Sequence, residues 1–212
     1  MSESPKDLKS TILARMDAKA PFGVWTPSDF VDAASRDAVD QALHRLTKDG
    51  AIRRLARGLY DRPRQNSLTR QPSAPDARAV IDALARRDAT RMLVDGLTAA
   101  NDLGLSDAVP AKIVVHTDAR LAPFQAGGVN ILFKKTAPSR LYWAGRPAMR
   151  VVQALHWLKD RLPVEGDDIR RRLQRILADP QHGSAIRADL RAGFATLPAW
   201  MQGFLRDMVM TP

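Results

Sequence analysis

Apolar positions recur at helical spacing through the amino-terminal part of the chain. Leu8, Ile12, Leu13 and Met16 fall on one face of a first helix, since residues three or four apart share a side. The stretch Pro21–Gly23 breaks it. In "VWTPSDFVDAA", Thr26 is placed to cap a short second helix. Pro27 then stands at its first position, where a missing N–H costs nothing. Ser35 caps a third helix, "RDAVDQALHRLTKD", whose buried stripe is Val39, Ala42, Leu43 and Leu46. Gly50 suits the left-handed conformation just past its end. Two short strands follow, Ala51–Leu55 and Leu59–Asp61, joined by a turn at Ala56–Gly58. Three helices and then a basic hairpin is the order of a winged helix-turn-helix.

The polar, proline-containing stretch "RPRQNSLTRQPSAPDAR" has little to bury and reads as a linker. It predicts a DNA-binding domain over 1–63, a linker over 64–77 and a mixed α/β domain with carboxy-terminal helices over 78–212. The expected fold class is therefore α+β. In the second module, "DARAVIDALARRDA" predicts a helix capped near Asp76, and "RMLVDG" a strand. "LTAANDLG" reads as a short helix closed by Gly104, and "AKIVVHTD" as a strand. "GGVNILFKKT" predicts a strand entered by a Gly127–Gly128 turn, and "LYWAG" a further strand. "PAMRVVQALHWLKDRL" has the pattern of an amphipathic helix, and two or three more helices fill the chain from Asp167 to Met210.

Composition narrows the partners. The chain has 212 residues, a net charge of +10 and a pI near 10.6, a balance that favours polyanions and nucleic acid first among them. There are 0 cysteines, which excludes disulfides, thiolate catalysis and cysteine-ligated metals. No apolar run has the length of a signal-peptide core or a membrane span. The expected location is the cytoplasm.

Charge also picks out residues. The polar face of the third helix carries Asp37, Gln41, His44, Arg45 and Lys48. Gln pairs bidentately with adenine and Arg with guanine, so Gln41, His44, Arg45 and Lys48 are candidates for DNA contact. Asp37 and Asp40, in the first turn, would repel phosphate. In the hairpin, Arg53, Arg54, Arg57 and Arg62 are candidates for phosphate contact, with Arg57 at the tip and Arg54 on the flank. The competing reading is an edge strand protected by charge, but that device favours lysine and needs no cluster at a turn. A second basic run, "RRRLQR", reads as a solvated helix face partnered by Glu165, Asp167 and Asp168.

Catalytic chemistry finds little to stand on. His44, His116, His156 and His182 include no pair at metal-ligand spacing. His116 and Asp118 share a strand face but have no nucleophile beside them. "AGG" lacks the lysine and helix of a phosphate loop. No enzyme, cofactor or metal is expected. A DNA-directed nuclease and a regulator that senses a ligand in its α/β domain are the alternatives.

The run from Gly23 through Thr26, Asp29 and Phe30, then Leu43, Arg45, Leu46, Gly50, Ile52, Arg54, Gly58 and Tyr60, resembles the winged-helix start of the AbiEi family of abortive-infection antitoxins. "AANDLGLSDAVPAKIVVHTD" is similar to a stretch of that family's second domain. The resemblance implies a type IV toxin–antitoxin antitoxin. Its amino-terminal domain would bind operator DNA and repress its own operon. Its carboxy-terminal domain would counter a nucleotidyltransferase-like toxin, with direct contact left open. No membrane partner is expected, and a homo-oligomer on DNA is left open.

Overall fold

The computed structural model describes residues 5–18, 23–65, 70–108, 110–126 and 128–210. It is an α+β fold of helices and two small sheets. The chain divides into two units, Met1–Thr90 with Pro123–Ile131, and Arg91–Ala122 with Leu132–Pro212.

The first unit begins with α1, Pro5–Ala18, whose Leu8, Ile12 and Met16 are buried. Of the expected break after it, Pro21 and Phe22 lie outside the described residues. Strand β1, Val24–Trp25, follows, and nothing in the local pattern predicted it. The expected second helix is instead a single 3₁₀ turn, Pro27–Phe30. The Asp29 carboxylate accepts from the Thr26 N–H at 2.7 Å and from its hydroxyl at 3.0 Å, which locks that turn. Phe30 is fully buried and stacks on Trp25 at 5.3 Å. So few residues form one turn of helix only where tertiary packing holds them.

Helix α2, Arg36–Lys48, has the cap and stripe its sequence predicts. Ser35 accepts from the Ala38 N–H, and Gly50 takes a φ of 70°. Val39, Ala42, Leu43 and Leu46 join Leu8, Ile12, Met16, Phe30, Ile52 and Tyr60 in one apolar core. Strands β2, Arg53–Ala56, and β3, Leu59–Asp61, form an antiparallel hairpin, with Gly58 at φ 69° in its turn. β1 pairs with the other side of β3, so the hairpin is two strands of a three-stranded sheet.

Segment 64–77 lies inside this unit, and residues 66–69 of it are outside the described set. It folds back on itself: the Ser73 N–H donates to the Arg64 carbonyl at 2.8 Å. Helix α3, Ala77–Asp88, is capped by Asp76, which accepts from the Ala79 N–H. It also belongs to the first unit, and the division falls after Thr90.

In the second unit, β4 (Met92–Val94) pairs antiparallel with β5 (Ile113–Thr117). Strand β6 (Phe124–Ala126) pairs antiparallel with the start of β7 (Val129–Lys135), and this pairing over Phe124–Ile131 belongs to the first unit. β6 was not legible in the sequence. Of the turn expected before β7, Gly127 lies outside the described residues, while Gly128 takes a φ of 85°. Helix α4, Gly96–Asp102, packs against α5, Met149–Leu158. "LYWAG" is not a strand: it is the end of a 3₁₀ turn, Pro138–Leu141, and the bend after it. Trp143 is buried there, and a Cβ on Gly193 would meet its ring at 2.3 Å, so only glycine admits the indole. The carboxy-terminal end is helical: α6, Leu162–Leu177; α7, Gly183–Ala192; and α8, Ala199–Met210. Ile169, Leu173, Leu177, Leu190, Met201, Leu205 and Val209 are buried. No described helix is long and apolar enough to cross a membrane.

Candidate nucleic-acid interface

Amphipathic α2 turns its stripe inward and so leaves the opposite face to solvent. Gln41, His44, Arg45 and Lys48 are all exposed on it. Among the described residues, Arg45 and Lys48 make no ion pair, so both charges face solvent uncompensated. Asp40, one of the two carboxylates that would repel phosphate, is paired with Arg36 one turn earlier at 2.9 Å. That neutralises part of the acidic first turn.

The hairpin arginines fall into two groups. Arg53 grips the carboxylate of Asp61 with two nitrogens and donates to the Ser73 carbonyl at 3.0 Å. Asp61 is only 1% exposed, so this pair belongs to the interior of the unit. Arg62 pairs with Asp17 and reaches the Leu13 carbonyl of α1 at 3.4 Å. Both are fold contacts in the free protein. Arg54 and Arg57 are exposed and have no carboxylate partner among the described residues. A register shift between Arg54 and Ala56 makes Leu55 the extra residue of a bulge, so strict alternation fails there. The Arg54 Nε then folds back toward the turn and donates to the Ala56 carbonyl at 3.4 Å.

These two arginines border a groove of ≈ 640 Å³ within the first unit. Arg36 and Asp40 of α2 form one wall, Arg54, Arg57 and Tyr60 of the hairpin another, and Arg87 and Asp88 of α3 the third. Arg36, Arg87 and Asp88 were not among the sequence candidates. The signal for Arg36 was its i,i+4 spacing to Asp40. Arg87 carried none, because α3 read as part of the following module. Its guanidinium is held by Asp88 at 2.7 and 2.8 Å and donates to the Arg57 carbonyl at 2.7 Å. The hydrogen bonds that Arg87 donates to Asp88 are the main reason its pKa lies above the ordinary value. Arg86, one residue earlier, donates to the Val24 carbonyl at 3.1 Å and to Asp29 at 3.3 Å. Helix α3 thus clamps β1, the 3₁₀ turn and the hairpin tip.

The other sequence candidates resolve into structural contacts. Asp118 accepts from the backbone and side chain of Arg91, each at 3.1 Å, and no hydrogen bond joins it to His116. Desolvation opposes its charged form, but those hydrogen bonds outweigh it and hold the carboxyl below the usual carboxylate range. In the second basic run, Arg171 and Arg172 share Asp168, and Arg172 also donates to the Gly104 carbonyl at 2.9 Å. Arg170 lies over the Phe204 ring at 4.8 Å. Among the described residues no group of three His, Asp or Glu side chains could hold a metal ion.

A family described as "Family of unknown function (DUF6088)" matches residues 12–182. No curated protein matches the sequence. Among solved structures, the chain is similar to the crystal structure of the RV2827C protein from Mycobacterium tuberculosis. The two are 20% identical, with 94% of this chain and 81% of that chain covered at a TM-score of 0.42.

Proposed function

We propose a function for this chain, which belongs to the DUF6088 family of unknown function: it is a DNA-binding transcriptional regulator with a winged helix-turn-helix at its amino terminus. In this reading α2 is the recognition helix and the β2–β3 hairpin is the wing. Gln41, His44, Arg45 and Lys48 meet base edges and phosphates in the major groove. Arg54 and Arg57 meet the backbone beside it. The observation that carries the reading is the contrast within the hairpin. Arg53 and Arg62 are neutralised by Asp61 and Asp17, whereas Arg54 and Arg57 are exposed with no carboxylate partner among the described residues. A hairpin that needed charge only to protect an edge would not keep its free cations at the turn.

The resemblance to AbiEi antitoxins extends the reading to autorepression of a toxin–antitoxin operon, in the cytoplasm, against a nucleotidyltransferase-like toxin. A gel shift with the DNA upstream of the protein's own coding sequence tests the regulator. Retarded complexes that unrelated DNA does not compete away are expected. Co-expression with a neighbouring nucleotidyltransferase-like protein tests the antitoxin role. Growth rescued by this chain is the expected result, and growth arrest that it leaves unrelieved would contradict that role.

A further inference from the structure

We propose that the groove between the hairpin, the start of α2 and the end of α3 binds a free phosphorylated small molecule, with Arg54 and Arg57 as its anion-holding residues. The groove is concave, and its ≈ 640 Å³ falls within the ~300–1,000 Å³ of small-molecule sites. Its four arginines are not equivalent. Arg36 and Arg87 each hold a carboxylate, Asp40 and Asp88. Arg54 and Arg57 are left as the uncompensated charge of the lining. Guanidinium groups bind phosphate through paired N–H donors, and two of them suit a diphosphate.

The acidic members of the lining favour a free ligand over a DNA strand alone. Asp40 and Asp88, each paired with an arginine, add no net positive charge for a run of backbone phosphates, yet their carboxylate oxygens can accept hydrogen bonds from the hydroxyl groups of a sugar. The exposed Ser28 hydroxyl adds a neutral donor at the rim. The site is also built rather than accidental. Arg87, anchored by Asp88, fixes the Arg57 carbonyl at 2.7 Å, and its Cδ lies 3.4 Å from where a Cβ on Gly58 would stand. The hairpin tip therefore has a set position over the groove. The same two arginines are the wing's phosphate contacts in the DNA reading. The regulatory consequence, and only that, rests on that reading: a bound polyphosphate displaces DNA.

The test is titration of the full chain with inorganic pyrophosphate, followed by calorimetry and by amide chemical shifts. Saturable one-site binding is expected, with shifts confined to the hairpin, the start of α2 and the end of α3. Arg54→Ala with Arg57→Ala should weaken it at least tenfold. Both side chains are exposed, so the fold should survive. Arg45→Ala with Lys48→Ala, on the α2 face outside the groove, should leave it unchanged. No saturation at millimolar pyrophosphate, or equal loss in both double variants, would overturn the site. A chain that binds pyrophosphate in this way but no DNA keeps the site and removes the DNA reading. At constant ionic strength, DNA retained under saturating pyrophosphate would remove the displacement step.

Discussion

Arg53 holds both carboxylate oxygens of Asp61, a residue that is 1% exposed, while the next residue along the strand, Arg54, faces solvent with no carboxylate partner among the described residues. Adjacent arginines of the same basic run therefore have different jobs. Removing Arg53 strands a buried carboxylate, and that penalty is large. Arg53→Ala should cost about 2–3 kcal/mol of stability, measured by urea unfolding. Arg54→Ala should change stability by less than ~0.5 kcal/mol, as is usual for an exposed side chain. Equal losses would contradict the division.

The clamp from α3 sets the hairpin tip. Arg87→Ala removes the donor to the Arg57 carbonyl and the partner of Asp88. Amide hydrogen exchange at the β2–β3 turn should quicken, with a stability loss of about 1 kcal/mol. Arg87→Lys should not restore protection, because an ammonium cannot hold Asp88 bidentately and reach the carbonyl together. Unchanged exchange at the tip would show that the clamp is incidental.

In the second unit, Asp189 gathers three donors. Arg146 reaches it at 2.6 and 2.9 Å, and the Ala148 N–H at 3.0 Å, at the start of α5. The same guanidinium lies over the rings of Tyr142 and Trp143 at 4.5 and 5.2 Å. Asp189→Ala should therefore lower stability by about 2–4 kcal/mol, with the Trp143 fluorescence changing in the same unfolding transition. A variant as stable as the parent would mean that the cluster contributes little.

His156 gives the chain a pH dependence of definite sign. Desolvation, helped by the charge of Lys159, lowers its pKa below the ordinary value. It lies against the ring of Trp200 at 5.9 Å. The unfolded chain then binds a proton more readily than the folded one, so stability rises with pH across this window. The contribution is fully present above the ordinary histidine value of ~6.5 and is lost as pH falls through the lower folded value. His156→Gln should flatten the stability profile below neutrality. An unchanged slope would place its origin elsewhere.

The periodic parts of the chain were legible. The stripe of α2, its Ser35 cap and its Gly50 stop are local signals, and each is where the spacing puts it. The hairpin was legible too, because Gly58 and the alternating apolar residues are adjacent in sequence. Strand β1 was not: two residues carry no period, and Val24 is in the sheet only because β3 is there to pair with it. The 3₁₀ turn was overread as a helix because its cap and proline are genuine helix signals. Asp29, whose carboxylate accepts from Thr26 and Arg86, completes that same start signal. For the candidate site, sequence supplied Arg54 and Arg57 but not which arginines lack a carboxylate partner among the described residues. The partners that tie down Arg53 and Arg62 are Asp61 and Asp17, and Asp17 lies 45 residues away. Arg36, Arg87 and Asp88 come from elements that only the fold brings together.

The central claim is that Arg54 and Arg57 neutralise DNA phosphates. Its most direct test is the slope of log K against log salt for promoter binding, in the parent and in the Arg54→Ala, Arg57→Ala variant. Each phosphate neutralised contributes about 0.9 to that slope. The parent should show a steep negative slope, and the double variant a slope shallower by about 1.8, with weaker binding to every sequence. A chain with no salt-dependent DNA binding, or a double variant with the parent's slope, would contradict the account.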